Sequence, residues 1–164
     1  MSGGKRMWAP WRIEYILGEK PGGCALCEMP KLNDDERSHI VHRGAACYVI
    51  MNLYPYNSGH LMVVPFRHLS EYEDLAASER AESAELTARA VRALKKAMKP
   101  DGFNIGVNLG KAGGAGIDEH LHAHIVPRWS GDVNFMTAIG GTRVIPQCLD
   151  ETYQVLKEAF ASVE

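Results

Sequence analysis

Three histidines at alternate positions are the residues of this chain best suited to chemistry. His120, His122 and His124 are separated by single apolar residues and followed by Val126. Because successive side chains of a strand point to opposite faces of a sheet, this spacing predicts a strand with the imidazoles in one row. The apolar residues expected on the opposite, core-facing side are Leu121, Ala123 and Ile125. Near neutral pH an imidazole can ligate a metal, bind an anion or attack as a nucleophile, so the row predicts a reactive site.

A glycine-rich segment lies just before the histidines. Residues 110–116 read Gly-Lys-Ala-Gly-Gly-Ala-Gly, without the Gly-Lys-Ser/Thr ending of a P-loop. The backbone amides of such a loop can nevertheless form an anion-binding nest. Asn108, at the end of a predicted strand, is expected on the same face as the histidine row. We therefore predict a phosphate cradle beside His122, whose neutral imidazole attacks phosphorus while His124 binds or protonates a phosphoryl oxygen.

The apolar pattern also predicts the strands around this site. Strands are indicated over residues 46–51, 60–64 and 103–109. A loop of five to seven residues is expected to join the last of these to the histidine strand. So short a connection predicts that the two strands are antiparallel neighbours.

Helices are predicted in two places. Ser70 with Glu73 resembles a capping box, and Ser78 is predicted to cap a long helix that ends before residues 100–102. Asp150 is predicted to begin a short C-terminal helix. A mostly antiparallel sheet with one long helix and smaller ones defines an α+β fold.

Composition restricts the classes of function. The chain has 164 residues, which suits one domain over 1–164, and a formal net charge of −2, which does not favour a nucleic-acid backbone as partner. No apolar run approaches the roughly 20 residues of a membrane helix, so no membrane partner is expected. Cys47 and Cys148 are predicted to be core residues in apolar surroundings, and the cysteine usage favours a reducing, cytoplasmic compartment.

Read in order, these segments resemble the signature of the histidine triad (HIT) family. The triad itself is preceded by Asn108-x-Gly110 and, farther upstream, by the segment Asn52-Leu-Tyr-Pro-Tyr-Asn-Ser-Gly-His60, with Pro65 following. The aromatic N-terminal arm (residues 1–20) and residues 134–137 of the C-terminal extension (130–164) resemble a bacterial branch of the family. Members of that branch are diadenosine tetraphosphate phosphorylases or ATP adenylyltransferases.

The resemblance implies a HIT-like fold with a five-stranded, mostly antiparallel sheet, usually in a homodimer. It implies a nucleotidyl hydrolase or transferase that cleaves dinucleoside polyphosphates, with an adenine dinucleotide as substrate and phosphate or water as acceptor. His122 matches the nucleophile and Asn52 the residue that binds ribose hydroxyls. The positions that match groups around the phosphates are His60, Asn108 and His124.

One loop departs from the family pattern. Several members carry Gln and Ser or Thr before the triad, where this chain has Ala115 and Gly116. Lys111 or the amides of the loop, including those of Gly114, Ala115 and Gly116, are therefore expected to hold the phosphate. The lost side chains favour phosphorolysis over hydrolysis.

A Cys-x-x-Cys pair, Cys24 and Cys27, has the spacing of half a zinc site. Zinc-bearing relatives supply the other ligands from positions that match His68 and His120, so the resemblance implies a structural zinc ion. His39 and His42 are rival ligands because they lie closer in sequence, although a charged segment, residues 34–37, precedes them.

Other functions remain open from the sequence. A nucleoside phosphoramidate or adenylylsulfate-splitting enzyme would use the same residues. A nucleotide-binding sensor without turnover is an alternative from a different class. A third alternative is a catalytic metal site built from all three triad histidines.

Overall fold

The computed structural model describes residues 23–132 and 148–163. In this part of the chain the strands, named β1 to β5, are Ile40–Arg43, Cys47–Met51, Leu61–Pro65, Gly102–Val107 and Ala123–Arg128. The α-helices, named α1 to α4, are Ala25–Glu28, Asp35–Ser38, Ala77–Met98 and Leu149–Ala161. The N-terminal arm and most of the C-terminal extension, including residues 134–137, lie outside the described residues.

The five strands form one antiparallel sheet in the order β1-β2-β3-β5-β4. The predicted α+β class and the pairing of β4 with β5 are therefore confirmed. The connection between these two strands is longer than predicted, because β4 ends at Val107 and β5 begins only at Ala123. The additional length contains Asn108, the glycine-rich segment and two of the triad histidines, His120 and His122.

Different segments of the chain pack on the two faces of the sheet. Helices α3 and α4 pack on one face, where the buried residues include Val49, Leu61, Val63, Ile125, Leu94, Leu156 and Phe160. On the other face, Ile40, Tyr48, Ile50, Met62 and Val64 pack against the segment that contains Cys24 and Leu26. The helices thus leave the second face available for the residues that do chemistry.

The long helix begins earlier than predicted. Its N-cap is Ala76, whose backbone N–H donates to the Glu79 carboxylate over 2.7 Å. Arg67 holds that carboxylate from the other side at 2.7 Å. The prediction of Ser78 as the cap was wrong, because Glu79 satisfies the first amide and Ser78 is already helical. Ser70 starts no long helix either, since only a short 3-10 turn, Tyr72–Asp74, follows it.

Two further predictions need correction. Cys148 is exposed at the N-cap of α4, where its sulfur accepts from the Glu151 N–H, so it is not a core residue. Cys47 is fully buried as predicted. The segment before β2 is not only a charged loop, because it forms helix α2 and then strand β1. Among the described residues, no helix is long and apolar enough to cross a membrane.

Candidate active site

His122 is the central residue of the candidate site, and its protonation pattern follows from one hydrogen bond. Its Nδ1 lies 2.8 Å from the backbone carbonyl oxygen of His120. A carbonyl only accepts, so Nδ1 carries the proton and Nε2 keeps its lone pair. The ring is 5% exposed. This arrangement holds a nucleophilic nitrogen in a fixed direction without any charged partner.

The three histidines do not form the uniform row that the sequence predicted. Strand β5 begins at Ala123, so His120 and His122 lie in the irregular segment before it. Leu121 does not join the helix-covered core, because it packs with Leu69 and Leu75 in a separate cluster. Its backbone N–H donates to the Leu69 carbonyl over 2.7 Å, which fixes this segment against the 66–75 loop.

His60 and His124 form a hydrogen-bonded pair beside His122. The backbone N–H of Tyr56 donates to Nδ1 of His60 over 3.1 Å, so this nitrogen is an acceptor. The proton of His60 therefore lies on Nε2, which donates to Nδ1 of His124 over 2.9 Å. His124 must then carry its own proton on Nε2. The rings of His122 and His124 meet edge to face with centroids 4.7 Å apart, so a donor stands beside the nucleophile.

Burial keeps both members of this pair neutral. It lowers the pKa of His60 to about 3, helped by repulsion from His124 and His122. Burial also lowers the pKa of His124 to about 4, helped by His122. His124 is therefore a neutral imidazole with its N–H at Nε2, and the fully buried His60 contacts it through the other ring nitrogen.

The glycine-rich loop is held close to the site by Asn108. Its Nδ2 donates to the Gly114 carbonyl over 3.3 Å, and residues Lys111–Gly113 form a 3-10 turn within the loop. Gly110 and Gly114 have positive φ angles of 64° and 88°, which other residues rarely adopt. The Lys111 amino group lies 3.7 Å from Asp118 on the surface. The amides of Gly114 and Ala115, predicted to hold the phosphate, donate instead to the carbonyls of Lys111 and Gly110 over 3.0 and 3.3 Å. An anion could use these two amides only by replacing the bonds within the loop.

Asn52 and Tyr56 belong to the turn between β2 and β3. The Asn52 Oδ1 accepts from the backbone N–H of Tyr54 over 2.9 Å, which sets the orientation of the side chain. The ring of Tyr56 lies over His60 and His124, with centroids 4.8 and 5.7 Å apart. The sequence analysis missed this contact of Tyr56, and the aromatic residue inside the Asn52–His60 motif was the signal available.

The predicted metal ligands come together in one cluster. One ligand atom from each of Cys24, Cys27, His68 and His120 lies within 4.8 Å of the others. The Sγ atoms of both cysteines lie 3.3 and 3.4 Å from Nδ1 of His120, and Cys27 Sγ lies 3.3 Å from Nδ1 of His68. Ligand atoms around a tetrahedral zinc ion, with bonds of roughly 2.0 to 2.3 Å, are separated by comparable distances. The donor set therefore suits zinc.

The surroundings of the cluster also suit a cation. His120 Nε2 lies 2.9 Å from the Pro65 carbonyl, so its proton is on Nε2 and the Nδ1 lone pair faces the thiols. Burial, followed by the neighbouring Cys24, raises the pKa of the Cys27 thiol. A divalent cation would offset this effect by binding the thiolates.

The rival ligands are excluded by their positions. His39 Nε2 lies 2.9 Å from the Asp150 carboxylate, and its ring contacts Tyr153 edge to face. His42 stacks on Phe160 with centroids 5.0 Å apart on the helix-covered side of the sheet. Sequence proximity to the cysteines was misleading, because His39 caps helix α2 beside Asp150 and His42 lies in β1 against Phe160.

Comparison with known proteins agrees with this geometry. The family model of the HIT domain matches residues 33–131. The chain is 46% identical to the AP-4-A phosphorylase of Mycobacterium tuberculosis over 166 aligned positions, which cover 96% of this chain and 85% of that protein. It is 28% identical to the asymmetrical bis(5'-nucleosyl)-tetraphosphatase of Schizosaccharomyces pombe, over 58% of this chain and 52% of that protein.

A solved structure supports the same assignment. The crystal structure of a Zn-bound histidine triad family protein from Mycobacterium smegmatis superposes with a TM-score of 0.70 and 27% sequence identity. The match covers 85% of this chain and 94% of that one. Together with the family match and the arrangement of His120, His122 and His124, this shows that the chain belongs to the histidine triad (HIT) family.

Proposed function

We propose that the protein cleaves dinucleoside polyphosphates, with diadenosine tetraphosphate as the substrate, through a nucleotide bound covalently to His122. The observation that carries this proposal is the hydrogen bond from His122 Nδ1 to the His120 carbonyl, which leaves Nε2 as a nucleophile. The similarity to an AP-4-A phosphorylase along nearly the whole chain supports the choice of substrate.

The first chemical step transfers AMP to the enzyme. The Nε2 lone pair of His122 attacks the α-phosphorus, and the bond from phosphorus to the bridging oxygen breaks. ATP leaves with the electron pair of that bond. His124 donates from Nε2 to a phosphoryl oxygen, and Asn52 binds the ribose hydroxyls. The 110–116 loop, which Asn108 holds, would bind the growing negative charge if its amides exchange their bonds within the loop for phosphoryl oxygens.

The second step returns His122 to its starting state. An acceptor oxygen attacks the same phosphorus, and the bond from phosphorus to Nε2 breaks. Inorganic phosphate as acceptor gives ADP, so the overall reaction yields ADP and ATP, whereas water would give AMP and ATP. We favour phosphate, because Ala115 and Gly116 leave the loop without side-chain amide or hydroxyl groups and the relative with 46% identity is named a phosphorylase.

We propose that zinc is structural in this protein. Cys24, Cys27, His68 and His120 would hold it, and the Zn-bound relative supports the metal's identity. The ion would supply four strong bonds that join the N-terminal segment to the 66–75 loop and the triad. His120 thereby connects the cluster to the nucleophile, since its own carbonyl accepts from His122.

Product analysis tests the proposed function. Diadenosine tetraphosphate is incubated with and without inorganic phosphate, and nucleotides are separated by chromatography. ADP plus ATP only when phosphate is present supports a phosphorylase. AMP plus ATP without phosphate indicates a hydrolase, and no turnover in either mixture contradicts the proposal. In His122→Ala, turnover should be lost while nucleotide binding persists; unchanged turnover would exclude His122 as nucleophile.

We also propose a homodimer in a reducing, cytoplasmic compartment. β4 is an edge strand on which Ile105 is 53% exposed, and Leu109, two residues after the strand ends, is 48% exposed. Edge strands with apolar side chains favour pairing with a second chain. All four cysteines are free thiols, which suits a reducing compartment. Light scattering after size exclusion tests the dimer, and a monomer at micromolar concentration contradicts it.

A further inference from the structure

A cavity without an assigned role lies beside the candidate active site. It is an open groove with a volume of about 450 Å³, within the range of small-molecule sites. The phosphoryl-transfer steps proposed above use none of the side chains that line it. These residues are Pro55, Tyr56, Asn104, Val126 and Arg128.

The strand register places this cavity next to the reacting phosphate. Gly106 is paired with His124, and Asn104 is paired with Val126. Cross-strand partners share a face of the sheet, so Asn104 and Val126 lie one step beyond His124 along the same face. Among residues 23–132 and 148–163, apart from Gly106 and its two chain neighbours, no atom lies within 4 Å of the position that a Cβ atom at Gly106 would take. None of these residues therefore fills the space beside Gly106, between His124 and the cavity.

The strand register gives the direction of the leaving group. In an in-line displacement the leaving group departs on the side of the phosphorus opposite to the attacking Nε2 of His122. Along β5, the direction from His122 past His124 leads to Val126, whose partner on β4 is Asn104. A leaving nucleotide that departs in this direction reaches the cavity.

The polar groups of the cavity are arranged for an uncharged ligand. Arg128 binds Asp132 through Nε and Nη2 at 2.6 and 2.9 Å, so the pair carries no net charge. Nη1 of Arg128 donates to Oδ1 of Asn104 over 2.7 Å. Because a guanidinium only donates, this bond fixes the amide of Asn104 with Nδ2 as the remaining donor. The donor is therefore oriented before any ligand binds.

An aromatic wall completes the site. Tyr56 is 46% exposed and offers a flat ring, and Pro55 and Val126 add apolar surface. Bases stack on such rings, and asparagine amides hydrogen-bond to the edges of adenine. A neutral site with one ring and one oriented amide suits a nucleobase better than a bare phosphate.

We propose that this cavity binds the nucleoside of the leaving nucleotide, with its base on Tyr56 and a ring nitrogen accepting from Nδ2 of Asn104. The inference rests on the proposed function and deepens it, because it makes the enzyme selective for substrates with a nucleoside at both ends. Asn104 and Tyr56 are then specificity residues for the second nucleoside.

The test compares two substrates that differ only in that nucleoside. Diadenosine tetraphosphate and adenosine 5′-tetraphosphate share the α-phosphate and the polyphosphate chain. The ratio of their kcat/KM values is measured for the parent protein, Asn104→Ala and Tyr56→Leu. If a substitution disturbs His124, the cleavage of both substrates is slowed, and this effect cancels in the ratio. We expect each variant to lower the ratio about tenfold, the size of a lost stacking or amide contact.

Gln154→Ala is the matched control. It also removes an amide, which is bonded to Glu36 away from the cavity, and should keep the parent ratio. A parent that cleaves both substrates equally overturns the subsite and leaves the proposed function intact. The subsite is also overturned, with the proposed function intact, if the parent protein prefers diadenosine tetraphosphate and the folded variants keep that preference. A parent that cleaves neither substrate overturns the proposed function and the subsite with it.

Discussion

His60 donates from Nε2 to Nδ1 of His124 over 2.9 Å, and the backbone N–H of Tyr56 fixes this direction from behind. The pair is neutral because burial depresses the pKa of both imidazoles. One fully buried histidine therefore determines which nitrogen of its neighbour donates toward the substrate. This relationship separates a positioning role for His60 from the direct phosphate contact that the sequence suggested, and it makes the following prediction.

Replacing His60 with Phe should lower kcat about 10- to 100-fold with little change in KM, because the ring volume remains while the donor to His124 is lost. His60→Gln should recover part of the rate, since its amide N–H can still donate. Steady-state kinetics with diadenosine tetraphosphate measures both variants. If His60→Gln and His60→Phe lower kcat equally, the hydrogen bond to His124 is not the contribution of His60.

The same burial predicts how stability depends on pH. The folded pKa values of His60 and His124, about 3 and 4, lie below the ordinary value of 6.5. The unfolded chain therefore binds more protons below pH 6.5, so the free energy of unfolding is highest above that pH. It should fall by roughly 1.4 kcal/mol per pH unit for each imidazole as the pH drops below 6.5 toward the folded pKa values.

Urea unfolding at pH 7 and pH 5 measures this effect. His60→Gln removes one titrating group and should weaken the pH dependence relative to the parent protein at the same zinc content. Gln154→Ala, which changes no titrating group, should keep the parent dependence. An identical pH dependence in His60→Gln and the parent would show that His60 is not held neutral by the fold.

Replacing a metal ligand should destabilise the protein, whereas replacing the surface cysteine should have no effect. Cys27→Ser should reduce bound zinc from about one ion per chain to a small fraction. It should also lower Tm by about 6 to 12 °C, the shift expected for a loss of about 3 kcal/mol. Cys148→Ser is the matched control, because Cys148 is exposed and lies outside the cluster. Zinc analysis and calorimetry measure both quantities, and equal Tm values for the two variants contradict a structural zinc site.

The sequence predicted the parts of this molecule that depend on local spacing. The antiparallel β4–β5 pair and the buried Cys47 are found as expected. Local spacing indicated only the Cys24 and Cys27 half of the ligand cluster, and the family resemblance supplied His68 and His120. Other features depend on contacts between distant segments, which no local pattern contains. Helix α3 begins at Ala77 because Glu79 and Arg67 cap it, and His60 turns toward His124 because Tyr56 donates to it. Cys148 is exposed since it caps α4 rather than packing under it.

A carboxylate on helix α3 gives the last prediction. Glu82, on helix α3, accepts from the backbone N–H groups of Ala45, Ala46 and Cys47 at 2.6, 2.6 and 3.1 Å. These amides belong to the turn between β1 and β2 and the start of β2, so one side chain joins the helix to the sheet. Glu82→Ala leaves three donors without this acceptor and should cost about 1 to 3 kcal/mol of unfolding free energy.

Glu85→Ala is the control on the same helix, since Glu85 is exposed and contacts only Arg92 among the bonds described for it. It should change stability by less than about 0.5 kcal/mol. Urea unfolding measures both, and kcat of Glu82→Ala should match the parent at a temperature where the variant is folded, because the turn lies outside the triad. Equal stabilities of the two variants would show that Glu82 does not support the turn. A loss of kcat in folded Glu82→Ala would show that β2 transmits the change to Asn52.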